Sequence, residues 1–189
     1  FVMEFLEGED LASVLAREAT LTAERATNIV LQCCRALGAA HAKGIVHRDM
    51  KPENIFLVRR EEQLDFVKIV DFGIAKMSDV ETAGAPGRKL TKTGMIFGTP
   101  EYMSPEQAAG KELDHRVDIY ALGVILFELL AGRVPFVGDS FMGILTQHMF
   151  EEAPTLRDVN PRVECSAELE AVIYKALAKD ANERYQTME

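Results

Sequence analysis

From Thr22 to Ala42 the apolar positions Ala26, Ile29, Val30, Cys33, Leu37 and Ala40 recur at helical spacing. Thr22 is a residue type that caps helix starts, and the glycine of Lys43-Gly44 is a common stop. A second helix is predicted from about Ser166 to Ala178, with Ser166 as cap and Glu168 and Glu170 favourable in its first turn. Another is expected near residues 140–150, and a short turn at SPEQAAG, residues 104–110. The run IYALGVILFELLA, Ile119 to Ala131, is apolar except for Glu128. It is shorter than the roughly 20 residues that cross a bilayer. It reads as a helix over about residues 116–131, buried on nearly all sides and needing a shell of other helices. IFLV and FVKIV, joined by RREEQLD, predict a β-hairpin. VMEF reads as a strand remnant, and LEGEDLASVLAREA as a linker followed by a short helix. The expected architecture is mainly α, with a small β-hairpin at one edge.

The hairpin is preceded by a break in this pattern. Residues 47–54 read HRDMKPEN, and six of these eight side chains are charged or polar. Apolar GIV precedes them and IFLV follows. A buried charge must be paired or used, so the stretch is either a solvated turn or an active site. Asp49 and Asn54 also belong to the types that favour turns. DFG follows the hairpin at residues 71–73, and then GIAKMSDVETAGAPGRKLTKTGMIFGTPEYM runs with little periodicity. A loop that long inside a compact domain is usually functional or mobile. Asn54 and Asp71 supply the oxygen ligands that suit Mg²⁺. Asp49 stands apart as a carboxylate able to take a proton from a hydroxyl, and Lys51 adds a cation for a transferring phosphoryl group.

Composition narrows the partners. A chain of 189 residues holds one sizeable core or one lobe of a larger domain. An apolar fraction of 48% with 27% charge is that of a soluble globular protein. The net charge of −9 argues against general nucleic-acid binding, and no membrane segment is expected. Cys33, Cys34 and Cys165 fit neither a zinc spacing nor a disulfide framework, so they are expected to be reduced core residues in a cytoplasmic setting. The chain starts at Phe1, FVMEFL reads as mid-strand, and RYQTME reads as the start of a further helix. Both ends are therefore expected to be truncated, with any N-terminal targeting signal outside the sequence.

HRDMKPEN resembles the catalytic loop H-R-D-L-x-x-x-N of protein kinases, and DFG resembles their metal-binding motif. SPE at 104–106 stands where kinases have A-P-E, and the three occur in the family's order and spacing. The likeness extends from Glu4-Phe5-Leu6, similar to the linker between kinase lobes, to ANERY at 181–185. It most resembles the bacterial branch of serine/threonine kinases. Met50 replaces the usual Leu, a volume-conserving swap, and Ser104 replaces Ala.

The resemblance implies that residues 1–7 end a small-lobe strand and the hinge. Residues 8–189 would form the C-terminal lobe, with an activation segment over 71–106. Asp49 would be the catalytic base, Lys51 would neutralise the γ-phosphate, and Asn54 and Asp71 would hold Mg²⁺. ATP would be contacted by Met3, Glu4, Leu6, Lys51, Glu53, Asn54, Phe56 and Asp71, with Phe56 under the adenine. His47 and Phe72 would stack between the lobes. Asp118 would tie the buried helix to the catalytic loop, and Arg184 would pair with Glu106. Arg48 would await a phosphorylated loop residue, for which Thr91 and Thr93 are candidates beside Arg88, Lys89 and Lys92. Lys51 and the segment GTPEYMSPE, with Thr99, resemble the serine/threonine rather than the tyrosine type. The implied partners are proteins with Ser/Thr acceptors and a kinase dimer for trans-autophosphorylation. The 189 residues contain no G-x-G-x-x-G loop, no strand lysine and no paired helix glutamate, so alone they are expected to be inactive. A pseudokinase acting as scaffold, or an interaction module, is the alternative.

Overall fold

The structure, a computed structural model, describes residues 4–60, 63–72 and 99–189. Its sheet has three antiparallel strands in the order β1 (Gly8–Asp10), β2 (Ile55–Arg60) and β3 (Gln63–Ile69). Ile55 faces Ile69 and Leu57 faces Val67, while Asp10 faces Phe56 on the other side. The expected hairpin is present but longer, because residues assigned to its connection belong to the strands. Strand β1 lies where a linker was expected. It is polar and has no alternation to announce it. It joins β2 by backbone pairing, and Gly8 makes the approach possible: a Cβ there would lie 2.2 Å from the Leu57 carbonyl oxygen.

Asp10 ends β1 and caps α1 (Leu11–Glu18), accepting from the Ser13 N–H at 2.9 Å. Thr22 caps α2 (Ala23–His41), whose buried residues Ala26, Ile29, Val30, Cys33 and Leu37 match the helical periodicity. Arg25 on α2 grips both carboxylate oxygens of Asp65 on β3, at 2.7 and 3.0 Å, and Glu18 of α1 at 2.7 Å. That network fixes the sheet against the first two helices.

The turn at SPEQAAG contains helix α3 (Pro105–Ala108), closed by a Ser104–Gln107 capping box. Helix α4 (Arg116–Ala131) is the centre of the core, with 14 of its 16 residues buried. Gly132, in the left-handed conformation at φ 84°, ends it. Helix α5 (Phe141–Phe150) packs on α3 and meets α4 through His148 and Tyr120, while α2, α6 (Leu156–Val159) and α7 (Ala167–Ala176) pack around α4. The sequence pattern does not announce α6, a single turn with its own capping box at Thr155 and Asp158. Helix α7 crosses α4 at Gly123, where a Cβ would come within 2.9 Å of the Ala176 Cβ. Cys33 is buried, Cys34 and Cys165 are half-buried, and all three are free thiols. Among the described residues no helix is long and apolar enough to cross a membrane.

Candidate active site

Asp118 lies in the first turn of α4 and is 1% exposed. A carboxylate so deep must have its lone pairs satisfied. Oδ2 accepts the His47 backbone N–H at 2.9 Å and faces His41 Nε2 at 2.8 Å, and Oδ1 accepts the Arg48 N–H at 2.8 Å. The buried helix thereby fixes the loop that begins at His47. Arg48 is held at φ 65°, a left-handed conformation that side chains other than Gly rarely adopt.

His47 is fully buried. Its Nε2 donates to the Val70 carbonyl at 3.0 Å, and its Nδ1 accepts from the Asp49 N–H at 3.3 Å. The two bonds together define the tautomer. The ring packs tilted against Phe72, at 4.8 Å between centroids and 53° between planes. His47 is thus a structural joint between the loop and the end of β3.

Asn54, 6% exposed, donates from Nδ2 to the Asp49 carbonyl at 2.7 Å. This leaves its amide oxygen as the atom available to a cation. The Val70 N–H donates to the Asn54 carbonyl at 3.0 Å, so the stem of β3 runs beside the turn over Pro52–Asn54. Asp71 follows directly, exposed and at φ 54°.

Asp49 and Lys51 line a cavity of about 280 Å³ with Arg48, Thr99, Tyr102 and Gln107. Lys51 Nζ donates to Thr99 Oγ1 at 3.4 Å. The Arg48 Nε is buried and has no hydrogen-bond partner among the described residues. Tyr102 donates its hydroxyl to Glu128 at 2.7 Å. Burial first, and then the adjoining Glu128 carboxylate, push the Tyr102 hydroxyl pKa up. Glu128, the one charge in the apolar run, is thereby paired.

Arg184, 2% exposed, forks onto both oxygens of Glu106 at 2.7 and 2.8 Å. Its remaining donors reach the carbonyls of Ala178, Arg116 and Lys179. Burial pulls the Glu106 pKa up, but the Arg184 guanidinium more than offsets this, and the carboxyl titrates below its ordinary value.

Arg48, Asp49, Lys51 and Thr99 come together at the cavity, and Asn54 joins them through the Asp49 carbonyl. Other residues marked in the sequence lie elsewhere. Glu4 and Leu6 sit in a groove against Val58, Phe66 and Lys68. Phe56 is half-buried on β2, and Glu53 is exposed. Met3, Thr91, Thr93, Arg88, Lys89 and Lys92 fall outside the described residues. Two contacts had no sequence signal. His41 reaches Asp118 across 77 positions, and Gln107 reaches the Arg48 carbonyl across 59.

The family model for the protein kinase domain matches residues 1–189. The chain belongs to the protein kinase domain family. Among its relatives, serine/threonine-protein kinase pkn3 of Myxococcus xanthus is 47% identical over 96% of this chain and 33% of the relative. Pkn1 of the same organism is 46% identical over 99% of this chain and 26% of the relative. PknB of Mycobacterium tuberculosis is 40% identical over 98% and 28%. The chain is similar to bacterial serine/threonine kinases over nearly all of its residues, and spans a third or less of the length of these relatives.

Proposed function

We propose that this kinase lobe serves an ATP-dependent enzyme that moves the γ-phosphoryl group to Ser or Thr hydroxyls of proteins. The observation that carries the reading is the loop geometry. Asp118 fixes the loop from beneath, Asn54 braces the Asp49 carbonyl, and Asp49 faces a cavity shared with Lys51 and Thr99.

In this reading Asp49 receives the proton of the acceptor hydroxyl. The hydroxyl oxygen bonds to the γ-phosphorus as the bond to the bridging β,γ-oxygen breaks, and ADP leaves. Lys51 meets the charge on the transferring group, and Thr99 steadies Lys51 from across the cavity. Asn54 through its amide oxygen and Asp71 through its carboxylate would hold Mg²⁺. The metal supplies charge neutralisation on the phosphates, and a donor set of one Asp and one Asn suits a cation that keeps water and phosphate ligands. Met3, Glu4, Leu6, Glu53 and Phe56 would contact the nucleotide.

The buried Arg48 Nε, which has no hydrogen-bond partner among the described residues, supports a site for an anionic group beside the base. Phosphorylation of Thr91 or Thr93 would supply that anion, delivered in trans by a second copy, and Glu106 would hold the end of the segment. The 189 residues alone, without a Gly-rich loop, would transfer no phosphate.

The test is a phosphotransfer assay on the full-length protein beside its Asp49→Asn variant, with mass spectrometry of residues 71–106. The variant should lose at least about 100-fold in kcat. Equal activity of the two would overturn the role of Asp49. Inactivity of both would favour the pseudokinase reading.

A further inference from the structure

Gln107 uses both ends of its side-chain amide. Its Oε1 accepts from the Ser104 N–H at 3.0 Å, completing the cap of α3. Its Nε2 donates to the Arg48 carbonyl at 2.9 Å. With both atoms engaged, the amide has one orientation. Both backbone groups of Arg48 are then clamped: Asp118 accepts its N–H at 2.8 Å and Gln107 donates to its C=O at 2.9 Å. Arg48 needs such restraint, because a non-glycine residue at φ 65° persists only where its surroundings impose it. The next residue is Asp49.

The segment that carries Gln107 is tied down at three further points. Thr99 accepts from Lys51, Tyr102 donates to Glu128, and Glu106 is gripped by Arg184. Those contacts are side chain to side chain. Gln107 reaches the backbone of the loop, at the bond immediately before the carboxylate that does the chemistry.

We infer that Gln107 is a positioning residue that sets the peptide preceding Asp49, and so makes the aim of that carboxylate depend on the placement of segment 99–107. The inference rests on the kinase reading of Asp49. It gives α3 a task beyond ending the segment. When Thr99–Gln107 is seated, the clamp on Arg48 closes. When the segment shifts, Arg48 is free to leave its left-handed conformation and Asp49 turns with it.

Two substitutions separate the clamp from the cap. Gln107→Glu keeps an oxygen for the Ser104 N–H but cannot donate, and turns a lone pair towards the Arg48 carbonyl. Ser104→Ala removes the hydroxyl that accepts from the Gln107 N–H at 3.3 Å, leaving the Gln107 side chain in place. Both are made in the full-length protein and compared with Asp49→Asn at matched loop phosphorylation, with Tm, kcat and the KM for ATP measured. Gln107→Glu is expected to lower kcat about 10- to 100-fold, with KM for ATP and Tm close to the parent values. Ser104→Ala is expected to keep kcat while losing some thermal stability. An unchanged kcat in Gln107→Glu beside an inactive Asp49→Asn overturns the inference and leaves the kinase reading standing. An equal kcat loss in Ser104→Ala also overturns it, since an intact helix start would then explain the effect. Full activity in Asp49→Asn removes the kinase reading and this inference with it.

Discussion

Asp118 holds Arg48 by its backbone: the Oδ1 of a carboxylate 1% exposed accepts the Arg48 N–H at 2.8 Å. The same carboxylate accepts the His47 N–H and faces His41. Asp118→Ala strands two backbone donors in the interior, at about 1–3 kcal/mol each. The variant is expected to lose several kcal/mol in urea unfolding and to lose phosphotransfer in the full-length protein. Asp118→Asn retains one acceptor and is expected to fall between. Parental stability in Asp118→Ala would contradict this account of the loop.

Arg184→Lys keeps the charge but not the fork. Its single nitrogen cannot reach both Glu106 oxygens and the carbonyls of Ala178, Arg116 and Lys179 together, so some of these five contacts are lost. Breaking a buried pair from one side costs about 3–5 kcal/mol. Arg184→Met alone is expected to be as damaging, and Arg184→Met with Glu106→Gln markedly less so. Denaturant midpoints of Arg184→Met and of Arg184→Met with Glu106→Gln decide it. Equal loss in both would mean that the pair is not the source.

His148 on α5 makes stability depend on pH. It is fully buried, its Nδ1 lies 2.8 Å from the Tyr120 hydroxyl of α4, and its ring packs on Phe136. The Lys179 ammonium and the backbone of Glu101 adjoin it, and Arg184 lies over Tyr120. Burial, then Lys179, lowers its pKa to about 4. The unfolded chain therefore binds more protons between pH 4 and 6.5. The contribution of His148 is complete above about pH 6.5 and is lost as pH falls towards 4, on the order of 3 kcal/mol. Below that, the lowered pKa of Glu106 removes its contribution as pH falls through the folded value. Urea unfolding from pH 7.5 to 4.5 should show the decline, and His148→Asn should flatten it. An equal slope in the variant would assign the effect elsewhere.

Gly123→Ala places a methyl group 2.9 Å from the Ala176 Cβ, and the α4–α7 crossing must open to admit it. A loss of about 1–3 kcal/mol is expected. Ala176→Gly should relieve part of it, so the double variant should be more stable than the sum of the singles predicts. Strict additivity would show that the two positions do not limit the approach of the helices.

Much of the fold was legible because long helices repeat their apolar positions. α2 lies where Ala26, Ile29, Val30, Cys33 and Leu37 recur at helical spacing, whereas α4 was legible as an apolar run too short to cross a bilayer. β1 was illegible, since Gly8, Glu9 and Asp10 carry no apolar face and the strand exists only because β2 offers an edge. At the site, Asp49, Lys51 and Asn54 stand out as polar residues in an apolar setting. Gln107 and His41 do not, because their partners lie 59 and 77 positions away and a lone polar residue on a helix is ordinary. Local pattern reveals residues that contrast with their neighbours. It hides those whose partners are brought in by the rest of the chain.

Helix α4 has 14 of its 16 residues buried, so it lacks a water-facing stripe. An amphipathic helix lets substitutions accumulate on its outer face while the inner one stays fixed. This helix offers no such outlet. A saturation scan should find an unbroken band of intolerance from Val117 to Phe127, in place of the usual three-to-four-residue rhythm. Asp118 sits in that band, so the anchor of the loop is sheltered from drift by every neighbour on its own helix.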